Sequence, residues 1–427
     1  MADSRPRELP LSASFCPLRW SYLQVDLQHG RTKACCKTPF QALTGQAIAA
    51  QGAEAIFNSE YVQARRAEML TGIRHADCAA CWKAEDLGVQ SYRQSQAAKP
   101  MFRAVTEAVA AAPRLDAAVP KHIEIISRTT CDLACSYCGP DFSVRWEKEL
   151  ERHGQYPEDG KVPVVSAGCA PAGFAEIFRA WLTEHIDDVD YIQFNGGEPL
   201  IQDEFYDILG LTLSDRSAHR LELGVITNLN TPPARLRQLT GLLPRLLERH
   251  SLRFGVSFDA VGRRAEYIRY GLRWDRFDRN LRTLLSAIPD LGVQLAPTMS
   301  ALNVSSALDL VRYAAEIRSA YGDRVIFRPS MVMWPDFQSP LILLPENYAA
   351  IDDALRVLSE TGLWPNLAER LAEIKDAAGR DPGTDALRAA FYRWFTEYDR
   401  RRRLDLVDVF PELSGFWETC AVAAGQS

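Results

Sequence analysis

Three cysteines fall within eight residues, 131-CDLACSYC-138, and no fourth follows at a ligand's spacing. Thiolates are soft ligands that select zinc, copper(I) or iron–sulfur clusters. A structural zinc site closes its tetrahedron with a fourth Cys or His nearby. The neighbourhood offers only His122 and His153, neither at such a spacing. A four-iron cluster held by three thiolates instead keeps one iron without a protein ligand. That corner is open to a chelating small molecule.

A second group lies between positions 16 and 81: Cys16, the pair 35-CC-36, and 78-CAAC-81. Four thiolates close an iron–sulfur cluster or a zinc tetrahedron, and the ligand types fit both. Cys36 is either an alternative to Cys35 or a small buried side chain. Gly30, shortly before the pair, fits a hairpin turn that brings cysteines together. Trp20 and Trp82, close to these positions, read as packing. Cys169 and Cys420 stand apart, and a lone cysteine is usually a small core hydrophobe. Cys169 is also placed to reach the mouth of a barrel and return a hydrogen atom.

The elements that must position these groups follow from about residue 120. Apolar, β-rich runs recur as 122-HIEIIS, 191-YIQF, 221-LELGVIT, 253-RFGVSFD, 292-GVQLAPTM and 324-RVIFRPSMV. Between them lie helical-period segments such as 174-FAEIFRAWLTEHI, 234-ARLRQLTGLLPRLLERH, 276-RFDRNLRTLLSAI and 305-SSALDLVRYAAEIRSAY. Alternating strands and helices imply right-handed βαβ units and a parallel sheet. Six units make a partial barrel or a doubly wound sheet, with active groups at the C-terminal strand ends in either case. The cysteine loop follows the first strand and 195-NGGEP follows the second. Residues 139–173 read as an insertion before the first full helix.

The chain of 427 residues, 47% hydrophobic, exceeds one ordinary core, so more than one unit is expected. The formal charge of −6 gives no polybasic surface, so nucleic acid is not an expected partner. The dense run Arg400–Arg403 sits beside Asp399 and Asp405 and reads as a solvated helix face. No apolar run reaches the roughly 20 residues of a membrane span. The N-terminus has no signal-peptide core, so a reducing cytoplasm is expected, where grouped cysteines mean metal or redox chemistry.

The CxxxCxxC spacing, with Tyr137 just before the last cysteine, resembles the radical S-adenosylmethionine superfamily. So does a GGEP after the second strand, here Gly196, Gly197, Glu198 and Pro199. The resemblance implies an α/β fold: a partial (β/α)6 barrel over 121–345. It carries a small cysteine-rich iron–sulfur module at 1–96, a linker at 97–120 and a helical region at 346–427. It implies that Cys131, Cys135 and Cys138 hold a 4Fe–4S cluster whose open iron is chelated by S-adenosylmethionine. Glu198 would then accept from the methionine ammonium. Asn228, Ser257 and Arg269, with Thr227 and Asp259 less specifically, match positions that contact the cosubstrate. The arrangement 15-FCPLRW … HGRTKACC … CAACWKAED is similar to a twitch or SPASM-type module. By that similarity Cys16, Cys35, Cys78 and Cys81 ligate an auxiliary 4Fe–4S cluster.

The implied reaction begins with hydrogen-atom abstraction by a 5′-deoxyadenosyl radical. Oxidation of the substrate radical through the auxiliary cluster then gives crosslinking, cyclisation or dehydrogenation. A redox-neutral epimerisation or rearrangement, and an RNA-modifying enzyme, are the alternatives. The expected partners are a small-molecule or peptide substrate and an electron donor of the flavodoxin or ferredoxin type. Arg328, Trp334 and Asp336 are candidate substrate contacts.

Overall fold

In each of the six apolar runs alternate side chains are apolar, the period of a strand with one face on a core. The computed structural model describes residues 12–86, 91–116, 119–157, 170–213, 219–332, 335–376 and 384–426. All six runs form strands of one sheet, joined by three from the N-terminal segment. In chain order they are β1 (Tyr22–Asp26), β2 (Arg31–Lys33), β3 (Gln41–Ala42), β4 (His122–Ile126) and β5 (Tyr191–Asn195). Then come β6 (Glu222–Thr227), β7 (Ser251–Ser257), β8 (Gly292–Ala296) and β9 (Val325–Phe327).

Across the sheet the order is β9, β8, β7, β6, β5, β4, β1, β2, β3. Strands β4 to β9 and β1 are parallel, whereas β2 and β3 return antiparallel. From β4 to β9 the order never reverses, which excludes a doubly wound sheet, whose order turns back at a switch point. The outer strands β3 and β9 pair with no further strand among the described residues. Helices Phe174–Glu184, Pro233–Arg249, Trp274–Ala287 and Ala307–Tyr321 stand where helical period was read. Asp203–Thr212 adds one between β5 and β6.

The N-terminal segment does more than precede the sheet. β1 lies against β4 in strict register, Tyr22 opposite His122 and Asp26 opposite Ile126. Its Leu23 and Val25 join the same apolar core as Ile123 and Ile125. The expected turn is present: β1 and β2 form a hairpin, and Gly30 has φ +64°. A Cβ there would stand 2.3 Å from Pro171 Cδ, so only glycine lets residue 171 close on the hairpin. The linker at 97–120 holds a helix, Pro100–Ala111.

The insertion holds a helix of its own, Val144–His153, capped by Ser143, whose hydroxyl accepts from Trp146 N. Residues 158–169, with Cys169, lie outside the described residues, as does Trp334. The C-terminal region is helical as expected, and Thr384–Arg402 is its longest helix.

The arginine run differs from a solvated face. Only Arg400 and Arg403 point outward, whereas the Arg401 and Arg402 side chains are each 2% exposed. Arg402 donates to Glu149 Oε2 at 2.5 Å and to Tyr156 Oη at 2.6 Å, and lies 3.7 Å from the Tyr398 ring centroid. The helix is thereby tied to the insertion, because a guanidinium buried with an acid and aromatic faces replaces its lost hydration. Trp146, Tyr156, Trp394 and Tyr398 stack around it. Truncating one such buried indole costs about 3–5 kcal/mol. No described helix is long and apolar enough to cross a membrane.

Candidate functional site

The two faces of the sheet differ in chemistry. Ile123, Ile125, Ile192, Phe194, Leu223, Val225, Phe254, Val256, Val293 and Leu295 enter the helix-covered core. The other parity carries Gln24, Glu124, Gln193, Gly224 and Arg253 in one register row. Parallel sheets ordinarily bury two apolar faces, so a polar second face marks a surface kept for something other than packing.

At the C-terminal edge of this sheet lies the three-cysteine loop. Gly196 and Gly197 shape the neighbouring turn with φ +73° and +53°. A Cβ on Gly196 would stand 2.5 Å from Ile126 Cγ2, and one on Gly197 2.5 Å from Thr130 O. Glu198 N donates to Thr130 O at 2.8 Å, and Gln202 Nε2 donates to Thr130 O at 3.0 Å. The GGEP loop is thus laced to the chain entering the cysteines. Pro199 is buried and opens the short turn Pro199–Ile201.

Glu198 is 1% exposed and both its oxygens are engaged. Thr227 Oγ1 donates to Oε1 at 2.6 Å, Leu200 N to Oε1 at 3.2 Å and Asn228 N to Oε2 at 2.6 Å. Burial pushes this carboxyl up to about 7 against those three donors. In this arrangement it brackets the end of β6. Asn228 then reaches Asp132 Oδ1 at 3.1 Å and Cys131 Sγ at 3.7 Å, and Asn230 reaches Asp132 Oδ2 at 2.6 Å.

Cys135 is fixed from two sides. Ala134–Cys135 pairs antiparallel with Arg269–Tyr270, Cys135 opposite Arg269. Its carbonyl accepts from Trp146 Nε1 at 3.0 Å. Arg269 is buried and donates Nε to Asp259 at 2.6 Å, Nη2 to Tyr137 Oη at 2.8 Å and Nη1 to Cys135 Sγ at 3.5 Å. The Tyr137 hydroxyl in turn donates to Asp259. Ser257 ends β7, half-buried beside Ala296. Arg328 is exposed just beyond β9, and Asp336 opens a short turn.

Cys135 is close enough to act on each of the other two thiols. Burial pushes Cys131, Cys135 and Cys138 up, Cys138 to about 12, and the negative charge of a Cys135 thiolate adds to both neighbours. Asn228 Nδ2 and Arg269 Nη1 place N–H groups at the Cys131 and Cys135 sulfurs, a setting that favours thiolate over thiol. Among the described residues no three His, Cys, Asp or Glu side chains converge on a point for a single ion.

The N-terminal thiols gather at the other end of the sheet. Cys35 and Cys36 follow β2, which runs back to end at Lys33 opposite Gln24, and Cys16 precedes β1. Cys16 and Cys35 are buried with Phe15, Trp20, Tyr22, Met69 and Phe102, and Cys36 and Cys78 pack at the margin. Burial pushes Cys16 up to about 12, and the charge of Cys78 adds to it. A hydrogen bond between Cys35 and Cys36 raises the first and lowers the second. Burial raises Cys81, with a smaller contribution from Cys78. Arg19 Nη2 lies 3.8 Å from Cys78 Sγ. All five thiols therefore belong to one neighbourhood. Trp20 and Trp82 are buried and donate to the carbonyls of Arg114 and His75, as packing residues do.

Between the ends runs a hydrogen-bonded row. Tyr22 Oη donates to Glu124 Oε2 at 2.7 Å, and Gln24 Nε2 and Asn195 Nδ2 donate to Glu124 Oε1 at 2.5 and 2.8 Å. Asn195 Oδ1 accepts from Gly196 N at 2.8 Å, which joins the row to the GGEP loop. Asp132, Trp146, Glu124, Asn195 and Asn230 were not singled out in the sequence. Only Asp132, inside the cysteine octapeptide, and Asn195, at the head of NGGEP, carried a local signal. His122, by contrast, sits among the Tyr22, Phe102 and Tyr191 rings at the start of β4, away from the cysteine loop. Cys420 is fully buried in the C-terminal core, as a lone cysteine should be.

No protein-family model and no curated protein matches the chain. Among solved structures it is similar to SuiB of Streptococcus suis bound to its precursor peptide SuiA. The TM-score is 0.34 and the identity 13%, over 92% of this chain and 73% of that one. SuiB bound to S-adenosylmethionine gives TM-score 0.32 and 12% identity, over 72% of this chain and 71% of that one. A likeness of this size fixes neither fold nor site.

Proposed function

We propose that the chain is a radical S-adenosylmethionine oxidoreductase with two iron–sulfur centres. The observation that carries this reading is the cysteine loop. Three cysteines share one loop at the C-terminal edge of a singly wound parallel sheet, Cys135 acts on each of the other two, and Glu198 N and Gln202 Nε2 lace the loop to the glycine turn. Cys131, Cys135 and Cys138 would hold a 4Fe–4S cluster, and Cys16, Cys35, Cys78 and Cys81 a second. With the cosubstrate these supply a 5′-deoxyadenosyl radical for hydrogen-atom abstraction and a place for the substrate's electron.

The chain's own residues then have separable tasks. Gly196 and Gly197 let the turn close on Ile126 and on the backbone of Arg128 and Thr130 that leads into the cysteines. Glu198 holds Thr227 and Asn228 in place at the rim, and Asn228 with Asp132 and Asn230 offers polar groups beside Cys131. The polar face carrying Gln24, Glu124, Gln193 and Asn195 receives the substrate, a small molecule or a peptide, between the two thiol groups. An electron donor of the flavodoxin or ferredoxin type would serve the first centre.

The test is iron and labile sulfide per chain after anaerobic reconstitution, for wild type and for the Cys131/Cys135/Cys138→Ala variant. Iron falling from about eight to about four, with loss of deoxyadenosine formation, is expected. About four irons in the wild type, all lost in the variant, with zinc retained at the N-terminal site, would overturn the two-centre oxidative reading.

A further inference from the structure

Arg269 corresponds to a position that the family resemblance assigns to the methionine carboxylate, yet the structure gives its guanidinium other work. Its Nε is committed to Asp259, its Nη2 to Tyr137 and its Nη1 to Cys135 Sγ. A carboxylate is held best by two parallel N–H groups on one edge of the fork. Each edge of this fork already has donors in use, and the side chain is 8% exposed. Strand pairing puts Cys135 directly opposite Arg269, so the N–H···S contact is set by backbone register rather than by side-chain chance. Asp259 is itself locked, with Oδ1 accepting from Thr298 N at 2.8 Å and its carbonyl accepting from Asn303 Nδ2 at 3.0 Å.

We infer that Arg269 tunes Cys135: it donates a charged hydrogen bond to this one sulfur of the three and stabilises the electron-rich form of whatever that thiolate ligates. Asp259 and Tyr137 are positioning residues that aim it. This rests on the function proposed above. Hydrogen bonds and charges at ligating sulfurs are among the levers that set the potential of a cluster, and a cation at Cys135 makes the reduced state easier to reach. Tyr137 thereby gains a role: its hydroxyl bridges Asp259 and Arg269 beside the thiolate it neighbours in sequence.

The experiment is an anaerobic redox titration followed by electron paramagnetic resonance, with equilibrium binding of S-adenosylmethionine measured alongside. Wild type, Arg269→Met, Arg269→Lys and Asp259→Asn are compared, and the N-terminal centre serves as the internal control. Arg269→Met should shift the one-electron equilibrium of the Cys131/Cys135/Cys138 centre at least tenfold towards the oxidised form, a fall of about 59 mV. The N-terminal potential should stay fixed and cosubstrate affinity should change less than about twofold. Arg269→Lys, which keeps the charge and folds more readily, should fall between. An unmoved potential with affinity lost tenfold would make Arg269 a carboxylate ligand and sink the inference alone. A wild type without iron at the three cysteines sinks both this and the function it rests on.

Discussion

Around Cys131, Cys135 and Cys138 the side chains in reach are Asp132, Asn228, Asp259 and Arg269, whereas Cys16 and Cys35 sit among Phe15, Trp20, Tyr22, Met69 and Phe102. One group is lined with donors and acceptors at a loop-built edge. The other is largely aromatic and buried, with Arg19 beside Cys78 at its margin. A polar rim can orient a ligand and change with it, while a buried apolar shell excludes water and holds its contents unaltered. The first group is also compact in sequence, and the second is drawn from segments that only the folded chain brings together. The difference teaches that the proposed function would put ligand chemistry at the first end of the sheet, and that the second end depends on correct docking of the N-terminal segment.

Removing thiols breaks the comparison most directly. Cys16→Ala with Cys78→Ala should cost about half of the iron, as the triple variant at the other end does, but cleavage of the cosubstrate should survive it. Iron analysis and deoxyadenosine formation, read together, distinguish the two ends. Next in size is Gly197→Ala. Its positive φ and a Cβ 2.5 Å from Thr130 O force the loop apart, at a cost of about 2 kcal/mol or more. A lowered unfolding midpoint with iron lost first from the polar end is the expected result; a neutral effect would mean that the lacing is loose.

A smaller effect concerns docking. Burial pushes His122 down to about 3, with Lys99 adding to it. The folded chain therefore keeps the ring neutral, while the unfolded chain protonates it near pH 6.5. Stability is whole above that value and falls as pH drops, by about 2 kcal/mol at pH 5. His122→Phe preserves the stack with Tyr22, Phe102 and Tyr191 and should flatten this dependence. Denaturant midpoints at pH 5 and 7.5 check it. The smallest effect is that of Cys420→Ala, about 1 kcal/mol with iron unchanged, since this thiol serves only to fill core space.

Much of this was legible in the residues. Six apolar runs of strand period gave six strands, and the two loops singled out for chemistry meet at one edge. What escaped notice has a common cause. β1 is only five residues long and its meaning lies in its partner β4, far along the chain. Glu124 and Asn195 are ordinary polar residues until register makes them neighbours. Arg401 and Arg402 read as surface because a charge run ordinarily is, and the buried aromatic bed that accepts them is assembled from the insertion and a distant helix. Local pattern specifies elements; which side chains meet across elements is decided by the topology.

The place of β1 also sets an order of events during synthesis. Gln24 and Glu124 are joined by a hydrogen bond across 100 residues of chain. At roughly 5–20 residues per second, about 5–20 seconds separate the emergence of β1 from that of the strand it must pair with. Through that interval Cys16, Cys35, Cys36, Cys78 and Cys81 are on a chain whose docking edge does not yet exist. Whatever loads or protects those thiols must therefore act on an open segment, or wait until the sheet has an edge to receive it.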